Sequence, residues 1–448
     1  MIFTKFLFVL TLVHLTFSST LNVTNELVIL FQSQPHIYIL GQIDHASSLI
    51  PPTIPILLTH SYSSTISNWF AIYPLFASVL HRYPHLQWLF ISDVQTRIDL
   101  IKLLEFAQKQ TQESKFSYVG HGLRDVEPSI IHHYSLDFQF VYPDLSTGVL
   151  ISRHVLQQFV ERLENYRKPI DFIIDVSYEM TKLIDELTYT KLIDRSDLFC
   201  YKKEPSCLTW IESNNDYSCP RQSILLTDLY FGIKTFSGFH RTRVPLLKKT
   251  WLIDSLSYNL FTNRADDSHE RFIESNENTE RGHCHKTFFI LNYFYEKQNK
   301  FNYLIIADDD TLFSVPRLVR LIQCFMLSND VPTVLGERYG YGEHYDYPTG
   351  GSGMIFNRRA VQQILLNCQC PTADTPDDMF LGLCLKRLQI PLIDVPQMHQ
   401  AQPNTYAQPL LKNENSISFH KFEGINVEQV YRDYLYEQMN INLMRDEF

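Results

Sequence analysis

The sequence has few basic residues, and it has no long apolar run after its first twenty residues. The first shortage argues against a nucleic-acid-binding protein and the second against a protein with several membrane spans. The 448 residues hold 39 lysines and arginines against 49 aspartates and glutamates, which gives a net charge of -10. Nucleic-acid binding needs a dense basic surface, so we expect no nucleic-acid partner. After the first twenty residues, no apolar run is long enough to cross a membrane. The composition is that of a globular protein, and the length predicts two domains.

Cysteine is absent from the first 199 residues. All eight cysteines lie between Cys200 and Cys384. In an oxidising compartment an even number of cysteines favours disulfides, whose pairing the sequence leaves open. Zinc binding is the alternative for Cys368 and Cys370, but a single intervening residue is not the spacing of a zinc ribbon. We therefore predict disulfides.

Both ends of the chain carry targeting patterns. Residues 1–20 place Lys5 before an apolar run, as in a secretory signal peptide, and a type II membrane anchor is the alternative. Asn22 begins an N-glycosylation sequon. Residues 445–448, Arg-Asp-Glu-Phe, resemble a Lys-Asp-Glu-Leu retrieval signal. We expect the lumen of the endoplasmic reticulum, with the Golgi as the alternative.

One pattern of strands and turns occurs twice along the chain. The matched segments are residues 88–96 with 303–311, 119–121 with 335–337, and 142–151 with 347–356. A duplicated domain explains such self-similarity. In the first copy Val94 and Gln95 stand where the second has Asp309 and Asp310. We therefore expect the first copy to be degenerate and catalytically silent.

The repeats and the irregular segments between them predict an α/β fold with two tandem domains. A turn-rich stretch between Glu204 and Arg221 marks the boundary. The predicted organisation is a signal peptide at 1–20, a degenerate domain at 21–205, a linker at 206–224, a catalytic domain at 225–440 and a tail at 441–448.

An apolar segment, residues 304–307, ends abruptly in Asp308, Asp309 and Asp310. The segment reads as a buried strand, and a helical pattern follows the acids. In open α/β sheets ligands bind at the carboxyl ends of parallel strands. Three acids exceed what a helix cap needs, although an acidic cap remains the alternative. A hard divalent cation that holds a phosphate-bearing substrate would satisfy them.

Three further segments carry candidate site residues. Six of the fifteen glycines lie between 336 and 353, and the neighbouring tyrosines favour a sugar-contacting loop over a plain hairpin. Asp377 and Asp378 begin a helical pattern, where they could cap the helix or act as a general base. His399 and His420 lie downstream, and either could complete a divalent metal site.

Taken together, these motifs resemble the fringe-like family of β1,3-glycosyltransferases. The resemblance is strong over about residues 225–435 and looser through the first copy. The segments that carry it are 281–288, 306–312, 335–341, 350–354, 376–379 with Gly382, 398–403 and 417–421. It implies Rossmann-like domains of the glycosyltransferase A type.

The resemblance also implies an activity. The implied reaction is inverting and manganese-dependent, with UDP-glucose as donor and O-linked fucose on thrombospondin type 1 repeats as acceptor. Another UDP-sugar is one alternative, since donors differ in only a few hydroxyl groups. A non-catalytic luminal sugar-binding or chaperone protein is the other.

Carried onto this chain, the resemblance assigns a role to each candidate. Asp310 becomes the principal metal ligand with Asp308 beside it, and His399 the second ligand, with His420 as the alternative. Asp378 becomes the base, with Asp377 as the alternative. The expected donor-binding residues are Lys234, Thr235, Arg243, Asp308, Asp309, Gly351 and Gly353.

Overall fold

A computed structural model describes most of the chain. The described residues are 26–62, 72–166, 172–212, 224–253, 256–267, 271–275, 279, 282–325, 330–342 and 345–438. The expected signal peptide, Asn22, the tail and most of the predicted linker lie outside them. Within these ranges, no helix has the length and apolarity to cross a membrane.

Strands and helices alternate along the described residues. The strands are β1 (Leu27–Gln32), β2 (Ile56–Leu58), β3 (Trp88–Asp93), β4 (Thr96–Ile98), β5 (Tyr118–Gly120), β6 (Gly122–Leu123), β7 (Tyr142–Pro143), β8 (Val149–Ser152), β9 (Phe172–Ile173), β10 (Ile193–Asp194), β11 (Phe199–Cys200), β12 (Thr209–Ile211), β13 (Leu229–Lys234), β14 (Tyr258–Thr262), β15 (Phe272–Glu274), β16 (Tyr303–Asp308), β17 (Thr311–Phe313), β18 (Val334–Gly336), β19 (Arg338–Tyr341), β20 (Tyr345–Pro348), β21 (Met354–Asn357), β22 (Leu392–Asp394) and β23 (Ser418–His420).

The α-helices that accompany these strands are α1 (Ile37–Ser48), α2 (Phe76–Arg82), α3 (Leu100–Glu113), α4 (Arg153–Leu163), α5 (Val176–Thr188), α6 (Val244–Lys249), α7 (Cys284–Lys297), α8 (Val315–Phe325), α9 (Arg358–Asn367), α10 (Asp377–Leu388), α11 (Gln408–Asn413) and α12 (Val427–Val430).

The chain divides into two compact units. The first comprises Met1–Arg124, Asp137–Pro169 and Asp175–Tyr217, and the second comprises Asp125–Leu136, Ile170–Ile174 and Ser218–Phe448. The first unit thus differs from the continuous range 21–205 that the sequence suggested. Two short segments from the middle of that range, including β9, belong to the second unit.

The first unit is built on a sheet of order β10-β5-β8-β3-β1-β2. Strands β2, β1 and β3 are parallel, β8 is antiparallel to β3 and β5, and β10 is parallel to β5. In a separate small sheet, β12 pairs with β11 in parallel and with β4 in antiparallel.

The second unit has a sheet of order β15-β14-β13-β16-β21-β18-β22. Strands β15, β14, β13 and β16 are parallel, β21 is antiparallel to β16 and β18, and β22 is parallel to β18. From β14 to β22, the strand order and directions repeat those from β2 to β10.

Strand β16 shows why an uninterrupted apolar segment lies at the centre of this sheet. Successive side chains of a strand point to opposite faces. Tyr303, Ile305 and Ala307 pack into one hydrophobic core, whereas Leu304 and Ile306 pack into another. Both faces are therefore covered, and the acids can begin only where the strand ends.

Disulfides join described cysteines in both units, as predicted. Cys200 pairs with Cys207 in the first unit. In the second unit Cys284 at the start of α7 pairs with Cys370, and Cys368 pairs with Cys384 in α10. The two bridges of the second unit thus fix α7 and α10 to one short loop.

Candidate active site

A cavity of about 210 Å³ lies at the carboxyl ends of β13 and β16 in the second unit. The register of these strands places Lys234 directly opposite Asp308. The lining residues are Lys234, Thr235, Phe236, Phe239, Arg243, His283, Lys286, Asp308, Asp309, Asp310 and His420. The cavity therefore contains the whole acid triplet and the three residues Lys234, Thr235 and Arg243 expected to bind the donor.

Asp308, Asp310 and His420 form a cluster of potential metal ligands. One ligand atom from each lies within 4.8 Å of the others. His420 Nε2 is 3.1 Å from Asp310 Oδ1 and 3.7 Å from Asp308 Oδ2. Carboxylate oxygens with an imidazole nitrogen suit a divalent ion such as Mn²⁺. The donor atoms thus fit the metal that the family resemblance implies.

Two features orient the His420 ring. Strand β23 pairs with β17 so that His420 lies opposite Thr311. His420 Nδ1 lies 3.1 Å from the carbonyl oxygen of Gln400. Because a carbonyl only accepts, Nδ1 donates, and a neutral ring presents the lone pair of Nε2 to the two carboxylates. This is the tautomer that binds a metal.

Gly351 is required beside that ring. A Cβ at this position would lie 2.2 Å from His420 Nδ1. The Gly351 carbonyl also accepts a hydrogen bond of 2.8 Å from the Thr311 hydroxyl. Gly353, the other glycine expected at the donor site, has φ +97° and packs closely on Phe313. Gly353 is therefore needed for the backbone, and it is not among the cavity-lining residues.

His399 is placed away from the cluster. Its ring is buried, its Nε2 lies 2.7 Å from Glu414 Oε1, and it stacks on Phe419 at 4.8 Å. Of the two histidines that the sequence left open, the structure brings His420 and not His399 to the acids.

Asp309 and Arg243 form an ionic contact beside the cluster. Arg243 Nη1 is 2.9 Å from Asp309 Oδ1 and 2.9 Å from Asp310 Oδ2. Asp309 also accepts a 2.6 Å hydrogen bond from the Thr235 hydroxyl. Burial raises the pKa of Asp309 to about 6, although Thr235 and Arg243 oppose the shift. Asp309 therefore holds Arg243, whose guanidinium is suited to a diphosphate.

Lys234 connects the metal-ligand cluster to helix α10. Its buried Nζ is 3.0 Å from Asp308 Oδ1 and 3.0 Å from Asp377 Oδ2. Burial opposes the charge on Lys234, but the two carboxylates raise its pKa above the ordinary value. Lys234 therefore stays charged and forms an ion pair with one acid on each side.

Asp377 and Asp378 have different environments at the start of α10. Asp377 is buried and accepts hydrogen bonds from Lys234 at 3.0 Å and from the Thr287 hydroxyl at 2.5 Å. Burial would raise the pKa of Asp377, but Lys234 and Thr287 hold it below the ordinary value. Asp377 is thus an ion-pair partner and not a free base.

Asp378 is better placed to take up a proton. Burial and the charge of Asp377 raise the pKa of Asp378 to about 6. Within the described ranges, the hydrogen bonds to its carboxylate oxygens come from the backbone amides of Met379 at 2.7 Å and Gly350 at 3.4 Å. The alternative role suggested for Asp377 and Asp378, a helix cap, is not what they perform, because Pro376 occupies the N-cap without a side-chain bond.

Four lining residues were not assigned a role from sequence, namely Phe236, Phe239, His283 and Lys286. Lys286 donates a 2.7 Å hydrogen bond to the Thr235 carbonyl. The Arg243 guanidinium lies 4.0 Å from the centroid of the Phe239 ring. In the sequence, a spacing of four residues was all that indicated a contact between Phe239 and Arg243.

Comparison with known proteins identifies similar chains. A family model described as Fringe-like matches residues 224–439, which include every site residue named above. The beta-1,3-glucosyltransferase of Mus musculus is 33% identical over 87% of this chain and 81% of its own length. The Homo sapiens protein of that name is 34% identical, over 87% of this chain and 79% of its own length.

Two further matches are weaker. The beta-1,3-N-acetylglucosaminyltransferase manic fringe of Danio rerio is 24% identical over 40% of this chain and 57% of its own length. A solved glycosyltransferase involved in glycosylation of the major capsid of PBCV-1 is 14% identical over 46% of this chain and 97% of its own. Its TM-score of 0.30 supports no inference about this chain.

Proposed function

The chain belongs to the fringe-like family of β1,3-glycosyltransferases, and on that basis we propose that it transfers glucose from UDP-glucose to the 3-hydroxyl of O-linked fucose on thrombospondin type 1 repeats. One observation supports this most strongly. In a single unit, Lys234 joins the cluster of Asp308, Asp310 and His420 to the end of the helix that carries Asp378. A cation site for the donor and a base for the acceptor are thus held together.

In this proposal, Asp308, Asp310 and His420 would hold a manganese ion. Such an ion, when bound, would supply positive charge for the diphosphate of the donor. Arg243, held by Asp309, adds a fixed guanidinium on the same side of the cavity. Lys234 keeps Asp377 ionised and holds both Asp308 and Asp377 in place. The chain's own contribution on the donor side is therefore charge stabilisation and orientation.

Asp378 acts as the general base on the acceptor side. The acceptor hydroxyl loses its proton to Asp378 while its oxygen forms a bond to the anomeric carbon of glucose. The bond from that carbon to the diphosphate oxygen breaks, and its electron pair leaves with UDP. Because the displacement is single, the anomeric configuration inverts and no enzymic nucleophile is needed.

The first unit is proposed to be a degenerate copy of the second. The identical order and direction of six strands support this proposal. In our proposal both units are glycosyltransferase A-type domains, and the first supports the second or helps to hold the protein acceptor. The disulfides favour an oxidising compartment, and we assign the lumen of the endoplasmic reticulum.

The test is a donor panel with the full chain. The chain is incubated with Mn²⁺, a fucosylated thrombospondin repeat and, in separate reactions, UDP-glucose, UDP-galactose or UDP-N-acetylglucosamine. The mass of the repeat is then measured by mass spectrometry. We expect the gain of one hexose with UDP-glucose alone. Gain from another donor would overturn the donor assignment, and no gain from any donor would indicate a binding protein.

A further inference from the structure

Three aromatic side chains, Phe172, Tyr341 and Tyr345, form a row in the second unit and have no part in the steps above. The centroids of Phe172 and Tyr341 are 5.2 Å apart, and those of Tyr341 and Tyr345 are 5.5 Å apart. Each ring is half-buried and packs against the core of the unit. We call this row the aromatic platform.

The small sheet β20-β19-β9 fixes the platform. Tyr341 in β19 lies directly opposite Tyr345 in β20 and directly opposite Phe172 in β9. Residues opposite one another in antiparallel strands project from the same face of the sheet. The three rings therefore line up across three strands. Phe172 reaches this sheet from residues 170–174, far from the rest of the unit in sequence.

The platform lies beside the end of α10 that carries Asp378. A Cβ at Gly382 would be 2.4 Å from both the Asp346 carbonyl oxygen and Tyr347 Cβ, so the helix presses directly on β20. Asp378 is about one helical turn before Gly382. Burial, Tyr341 and the charge of Asp378 together raise the pKa of Tyr345. The Asp378 carboxylate therefore acts electrostatically on a platform residue.

The platform is separate from the donor cavity. None of its residues is among those described as lining the cavity at Asp308, Asp309 and Asp310. Lys234 and Asp377 stand between that cluster and Asp378. A group on the platform would thus contact side chains other than those that line the donor cavity.

We propose that Phe172, Tyr341 and Tyr345 bind the acceptor sugar, an inference that rests on the proposed function. The rings cover the apolar C–H face of a pyranose, and a 6-deoxyhexose, which has a methyl group in place of one hydroxymethyl group, offers the larger apolar surface. One hydroxyl of the seated sugar points to Asp378. The segment that supplies Phe172 is thereby part of the acceptor site.

The test compares Phe172→Leu with Phe172→Tyr in the full chain. Leucine keeps apolar volume but removes the ring, and we expect the acceptor KM to rise by roughly tenfold, the effect of losing about 1.4 kcal/mol of contact. Phe172→Tyr restores the acceptor KM. The KM for UDP-glucose and the slow hydrolysis of UDP-glucose without acceptor stay unchanged. Phe138→Leu, at a ring that is 67% exposed in the first unit, is the matched control.

Direct binding separates this inference from the proposed function. The affinity of wild type and Phe172→Leu for fucosylated and unmodified repeats is measured by calorimetry, with melting temperature as a folding check and Tyr345→Leu as a second variant. Weaker binding of only the fucosylated repeat supports the platform even if no sugar is transferred. Equal affinity and equal acceptor KM in correctly folded Phe172→Leu and Tyr345→Leu would overturn it.

Discussion

The sheets of the two units have the same strand order and directions over six strands but different residues at one strand end. Strand β16 is followed by acids that converge with a histidine. At the corresponding end of β3, Asp93 is followed by Val94 and Gln95. The Asp93 carboxylate accepts a 3.0 Å hydrogen bond from the Gln95 backbone and so closes its own turn. The architecture therefore does not depend on the cation cluster.

A second difference lies in the small antiparallel pairs. In the second unit β23 places His420 opposite Thr311. In the first unit β12 places Ile211 opposite Thr96 in the same way. An isoleucine offers no ligand atom, so the first unit lacks both the acid equivalent to Asp310 and the imidazole. Two side-chain differences on the same strand pattern therefore decide which unit has three potential metal ligands.

The largest expected effect comes from Asp310. Asp310→Asn removes a charged ligand, and because metal ions supply several kcal/mol of transition-state stabilisation we expect kcat to fall by about 10⁴-fold. Gln95→Ala, at the corresponding position of the first unit, should leave kcat unchanged. UDP release under saturating substrates measures both. An equal loss in the two variants would contradict the division into active and silent units.

Asp378 should be the next most sensitive position. Asp378→Asn removes the base, and we expect kcat to fall by about 10³-fold, within the range for general base catalysis. The control is Asp175→Asn. Asp175 caps α5 in the first unit through the amides of Ser177 and Tyr178, and asparagine caps equally well. Near-normal turnover by Asp378→Asn with a large loss in Asp377→Asn would reverse the assignment of the base.

The histidines distinguish the two ligand hypotheses. His420→Ile gives the second unit the residue of the first, and we expect the Mn²⁺ concentration for half-maximal activity to rise by roughly 100-fold, at least as much as for outer-shell partners. His399→Phe keeps the stack on Phe419 and should change the melting temperature but not the Mn²⁺ dependence. A Mn²⁺ titration of activity checks both, and the opposite pattern would favour His399.

The smallest effect is a dependence on pH. Asp378 must be unprotonated to accept a proton, and its pKa is about 6, so kcat/KM should decline as pH falls through that value. The decline approaches about tenfold per pH unit. Burial also raises the pKa of Asp93, but Asp93→Asn should leave the profile unchanged. A profile that is flat from pH 5 to 8 in wild type would argue against Asp378.

Local pattern was sufficient for the mixed α/β fold and for the position of the acids. The apolar run before Asp308 could end only at the edge of a covered sheet, and the acids lie there in the structure. Disulfide formation also followed from the count of cysteines. The strand and its acids depend on residues that are neighbours in sequence, whereas the disulfides followed from composition alone.

Contacts between residues that are far apart in sequence could not be predicted from local sequence pattern. The choice between His399 and His420 depends on the pairing of β23 with β17 and on the space left by Gly351. Phe172 reaches the second unit through two cross-strand pairs with β19. Asp377 is neutralised by Lys234, which lies 143 residues away. No spacing within either segment indicates these contacts.

Gly351 gives the two halves of the chain unequal evolutionary freedom. Any other residue at position 351 would place its Cβ 2.2 Å from His420 Nδ1. A single substitution is therefore enough to displace the imidazole. The reverse change in the first unit requires aspartate at Gln95, histidine at Ile211 and, by the same steric argument, glycine at Ser146, which stands at the position of Gly351. Loss of the site takes one step and gain takes three. Purifying selection should therefore act on a residue that contributes no side chain at all.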